Sequence, residues 1–139
     1  MKTSYSKKRI RTGVVINYSG LAGSVVIWEF CSNSHWSNTM IIAGIVSFIL
    51  LLSSLIPTYF TTRIWQFNHM PVSKLDEREL QISSHALRYA YGIFTIIALV
   101  TFYLYSLAEL QVSVILAASM LYFAHILPAS IIAWSGKLN

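Results

Sequence analysis

The chain has 139 residues, of which 55% are hydrophobic and only 11% charged, against about 25% charged in soluble domains. The formal net charge of +5 does not point to nucleic acid, because Lys2, Lys7, Lys8, Arg9 and Arg11, and then Arg63, Lys74, Arg78 and Arg88, all adjoin apolar runs, as membrane-flanking charge does. One cysteine, Cys31, excludes a disulfide within the chain and a Cys-rich metal site, so the expected surroundings are a lipid bilayer.

Crossing a bilayer takes about 20 apolar residues at 1.5 Å each, and four stretches approach or exceed that length. The first, 13–30, is the weakest, interrupted by Asn17, Ser19 and three glycines. A basic segment precedes it, as in a secretory signal, but Trp28-Glu29-Phe30-Cys31 offers large residues where a cleavage site or a lipidated cysteine wants small ones. It reads as an uncleaved first helix. The second stretch, 39–60, contains an unbroken apolar core from Ile41 to Leu52, relieved only by Gly44 and Ser47. Small residues at Ser19-x-x-x-Gly23, Gly20-x-x-x-Ser24 and Gly44-x-x-Ser47 would let helix backbones approach closely.

The segment 61–86 is the only sizeable polar part. Ser73 stands where a helix N-cap would, ahead of Lys74-Leu75-Asp76-Glu77-Arg78-Glu79, with acids in the first turn where the helix dipole favours them. One long helix is therefore expected from about Lys74 through the third apolar stretch, 87–108. The fourth stretch covers 112–134. Pro57 and Pro128 are expected near helix ends, where a missing backbone donor is most easily made good.

Lys and Arg in the short loops set orientation. The N-terminal segment, the 61–86 segment with Arg88, and the tail with Lys137 carry all of them, while the loop from Cys31 to Asn38 and the turn Glu109-Leu110-Gln111 carry none. A four-span arrangement puts every positive residue on one face; three spans or five would divide them. The expected fold is thus all-α, a polytopic membrane protein in one domain over 1–139, with both termini cytoplasmic and the third helix extended into the cytoplasm. Aromatic rings favour the two membrane boundaries: Trp28, Trp36, Tyr103 and Tyr105 are expected at the outer one, Tyr59, Trp65, Tyr89 and Trp134 at the inner.

The chemistry of several small four-helix families is missing. Proton-coupled drug export needs a carboxylate inside the first span, and Glu29 lies at its outer end; quinone-linked disulfide enzymes need paired cysteines. Of the histidines, His35 falls in the outer loop and His69 and His85 in the 61–86 segment. His125 alone lies well inside a span. It is the candidate for haem or pigment ligation, although a bis-histidine haem needs a second imidazole at similar depth and none is visible. A plain hydrogen bond across helices is the other reading of His125. No catalytic or metal-ligating group is expected.

The most distinctive polar feature is Asp76, Glu77, Arg78 and Glu79, read either as a solvated first turn or as a contact surface for a partner. The string Leu75-Asp76-Glu77-Arg78-Glu79, leading into a span, resembles the L-D-E-R-E juxtamembrane motif of small bacterial four-helix membrane proteins without an assigned activity. That resemblance covers about seven residues and implies a bacterial inner-membrane location. The leading functional expectation is a non-catalytic accessory or structural subunit packed against other membrane subunits. The rivals are a homo-oligomeric transporter or channel with Asn17, His125 and serines along its path, a haem- or pigment-binding subunit using His125, and a membrane enzyme using His125 or the cytoplasmic His69 and His85.

Overall fold

The computed structural model describes residues 6–33, 36–62 and 64–135; Lys2, His35, Arg63 and Lys137 of the sequence reading lie outside the described residues. In chain order the elements are α1 (Lys7–Asn33), α2 (Asn38–Leu55) continued by a π-helical turn (Ile56–Phe60), α3 (Ile64–His69), a 3-10 turn (Val72–Lys74), α4 (Glu77–Leu107) and α5 (Val114–Ser135). Regular structure among the described residues is entirely helical. Lys7–Cys31, Asn38–Phe60, Glu77–Leu107 and Val114–Ser135 are each long and apolar enough to cross a membrane. Two compact units, Met1–Trp65 and Gln66–Asn139, hold two of these helices each.

In the first unit α1 and α2 pack antiparallel along small residues. Gly13 faces the Thr58 side chain, Gly20 the backbone of Ser47 and Leu51, and Gly23 the Ser47 hydroxyl. Steps of three and four along each helix put these positions on one face. A Cβ at Gly20 would stand 2.7 Å from the Leu51 nitrogen and 2.8 Å from the Ser47 carbonyl oxygen. Only glycine lets the backbones come this close. Ser37 caps α2, its hydroxyl accepting from the Met40 N–H at 3.3 Å.

Pro57 has no N–H for the usual bond to the residue four before it, yet the helix does not stop there. The register widens by one residue, and the Thr61 N–H donates to the Ile56 carbonyl at 3.0 Å, so the apolar helix runs on to Phe60. This turn buries Thr58 and Tyr59. Tyr59 is 0% exposed and so lies in the core of the first unit. Trp28 and Trp36 do meet edge to face, ring centroids 5.5 Å apart, and Trp65 stacks on Phe60 at 5.4 Å.

In the second unit α4 is one uninterrupted helix of 31 residues, about 46 Å at 1.5 Å per residue and longer than a hydrocarbon core of roughly 30 Å. Its small buried face, Ser83, Ala86, Ala90 and Ala98, packs against α5, with Phe94 and Phe123 at 6.3 Å. The α4–α5 turn closes on Glu109 in the left-handed region (φ 54°). Leu110 N–H donates to the Tyr105 carbonyl at 3.0 Å and Glu109 N–H to that of Ser106 at 3.2 Å, a Schellman closure in which glycine would carry less strain. Ser113 then caps α5 by accepting from the Leu116 N–H at 3.0 Å. Pro128 sits inside α5, among its buried residues, rather than at the helix end.

The start of α4 departs from expectation. Lys74 and Ser73 lie in the 3-10 turn, and the N-cap is Asp76. Its carboxylate accepts from the Glu77 N–H at 2.8 Å and from the N3 backbone N–H, while the Glu79 carboxylate reaches back to the Asp76 N–H at 3.1 Å. The sequence holds two overlapping cap frames, Ser73 with Asp76 and Asp76 with Glu79. The second wins because only the longer Glu side chain can return the bond that makes a capping box. Asp76→Ala should therefore cost about 1 kcal/mol and raise amide hydrogen exchange over the first turn of α4, whereas Ser73→Ala should stay within about 0.5 kcal/mol of the parent. Equal exchange in the two variants would contradict this assignment.

Candidate functional site

Among the described residues, polar groups able to do chemistry gather in four places. The first is the α1–α2 seam. Asn17 is fully buried, and its amide donates to the Leu51 carbonyl and to the Ser54 hydroxyl, each at 3.1 Å. Ser54 itself donates to the Leu51 carbonyl at 3.0 Å. These bonds join the two helices through Asn17. Cys31, also buried, lies with its sulfur 3.4 Å from that of Met40.

The second place is a cavity of about 550 Å³ beside the first turns of α1 and the end of α2. Lys8 and Arg9, both exposed, stand at one end with Ser6, and Thr62 of the chain beyond the π turn joins them. Thr12, Ser53, Ser54 and Thr58 line its walls together with the apolar Ile10, Ile16, Leu50 and Pro57. The π turn is what brings Pro57 and Thr58 to it. Nothing in the sequence reading gathers these residues, since they meet only once the register of α1 on α2 is known.

The third place pairs histidines that the sequence kept apart. His69, at the end of α3, and His125 of α5 have ring centroids 5.1 Å apart with planes tilted by 51°. Both are exposed. Imidazoles on opposite faces of a haem iron, with metal–nitrogen bonds of about 2 Å, would stand roughly 6 to 6.5 Å apart, so the pair as placed is too close to sandwich a haem. Among the described residues no group of three or more His, Cys, Asp or Glu could hold a metal ion. His85 is exposed on α4.

The fourth place is the acidic and basic turn opening α4. Asp76 and Glu79 are occupied in the capping box, and Glu77 and Arg78 are exposed. Lys74 lies outside the helix and forms no helical pair with Arg78. Around all four places the long helices present large apolar side chains outward, among them Ile42, Ile49, Ile96, Leu99 and Leu121, and water does not favour such a surface. Comparison of the chain with protein-family models, with curated proteins and with solved structures gave no match.

Proposed function

We propose that the chain is a multi-pass membrane protein, both termini cytoplasmic, acting as a non-catalytic accessory or structural subunit packed against other membrane subunits. The observation that carries this reading is the use made of Asn17: a strongly polar side chain within an apolar helix marks a pathway by default, but here its amide is taken up in joining α1 to α2. The outward apolar side chains of all four long helices support lipid or subunit contact. A bacterial inner membrane rests on the L-D-E-R-E resemblance alone. Glu77 and Arg78 are the residues offered to a partner, since Asp76 and Glu79 already serve the helix start.

Purification from native membranes without overexpression tests the proposal. We expect a stoichiometric partner protein, weaker retention of that partner by Glu77→Gln/Arg78→Gln, and no proton- or sodium-coupled flux in liposomes. Reporter fusions after Lys8 and after Ser135 should both report cytoplasm. A pure homo-oligomer with robust coupled flux would replace the subunit reading with transport, and fusions on opposite sides would overturn the topology.

A further inference from the structure

We propose that the cavity between α1 and the π turn binds an anionic phosphodiester, the headgroup of a membrane phospholipid; this rests on the membrane placement proposed above. The cavity is graded along the helix axis. Lys8 and Arg9 line its charged end, Thr12 and Thr58 its middle, and Ile16 and Leu50, with Ser53, its far end. From Lys8 to Ile16 the helix rises about 12 Å, which takes the lining from the level of flanking charge into the apolar run. A phospholipid changes in the same order over a similar depth, from phosphate through glycerol and ester oxygens to acyl chain. Cations near an anionic lipid surface each favour it by roughly 1 kcal/mol, and basic pockets between membrane helices hold such headgroups. A free phosphate would use only the charged end and leave the apolar wall of Ile16 and Leu50 idle.

The size of the cavity, about 550 Å³, lies within the range of small-molecule sites, roughly 300–1,000 Å³. It is built by the π turn: were α2 to end at Pro57, Thr58 and Thr62 would not stand beside α1. Arg9 and Lys8 are exposed, so replacing them leaves the helix seam intact.

The test uses the full chain in nanodiscs, where both bilayer faces are open and a change of insertion direction cannot mask binding. Native mass spectrometry of protein released from mixed phosphatidylglycerol and phosphatidylcholine should show phosphatidylglycerol retained in preference. That preference should fall about fivefold in Lys8→Gln or Arg9→Gln and roughly thirtyfold in the double variant. Lys74→Gln/Arg78→Gln, the same loss of charge outside the cavity, should change it by less than about twofold. Thr58→Val, which keeps shape and charge, should also lower it. Equal loss from the Lys74/Arg78 pair, or no lipid preference in the parent, would overturn the site while leaving membrane placement standing; failure to enter any bilayer would instead overturn the placement. Glycerol 3-phosphate displacing the lipid at equal concentration would assign the site to a soluble phosphate ester and overturn the headgroup.

Discussion

Gly20→Val should separate α1 from α2 and cost 3 kcal/mol or more, on the order of the largest overpacking penalties. The expectation comes from what the added atoms would meet. At Gly20 the neighbours of a new Cβ are the Leu51 nitrogen and the Ser47 carbonyl, at 2.7 and 2.8 Å, and backbone cannot rotate away as a side chain can. The helices must move apart, and in moving they lengthen both bonds from Asn17. At Gly23 the obstacle is the Ser47 hydroxyl at 2.8 Å, which another rotamer relieves. Gly92 meets nothing within 4 Å, so alanine there should gain about 0.5–1 kcal/mol of helix propensity. Unfolding of the detergent-solubilised protein, followed by circular dichroism against increasing dodecyl sulfate, should therefore rank alanine at the three sites with Gly20 least stable and Gly92 most. Equal effects at Gly20 and Gly92 would mean the close seam does not exist.

Asn17→Asp is the second large effect expected. The amide has two donor bonds to give and gives them to the Leu51 carbonyl and the Ser54 hydroxyl; a carboxylate can only accept and would face the carbonyl with like charge. An ionised acid within a membrane helix costs about 2.5–3.5 kcal/mol even before that repulsion. Protonation restores one donor, so the deficit should shrink as pH falls and grow as it rises. Asn17→Leu keeps volume and leaves Ser54 still bonded to Leu51, so it should cost only about 0.6–1.7 kcal/mol, the range measured for hydrogen bonds between membrane helices. If the Asp variant matched the Leu variant at neutral pH, the bonds from Asn17 would not be holding the helices together.

What could be read in the sequence was whatever depends on neighbours along the chain. The four apolar helices follow from hydropathy, and each overlaps the stretch expected for it. Gly20, Gly23 and Ser47 stood out as small residues suited to close packing, and the seam uses all three. Features that depend on register between helices were hidden. The bonds from Asn17 could not be read from its own helix because its partners, Leu51 and Ser54, belong to another. His69 and His125 meet only through the way α5 lies in the second unit, and 56 positions of sequence give no hint of it. The cap at Asp76 was legible in principle: a rule that asks for a reciprocal bond would have chosen it over Ser73.

The seam of α1 on α2 has a consequence for how the chain is made. Both of its sides, Gly13 to Gly23 and Ser47 to Thr58, lie within the unit that ends at Trp65, and every contact in it joins segments adjacent in the chain. Such local topology closes quickly, and synthesis at about 5–20 residues per second leaves several seconds between the emergence of Thr58 and that of Ser135. The first hairpin can thus zip shut while the ribosome is still extending the second, sheltering the Asn17 amide co-translationally before any later helix is there to compete for it.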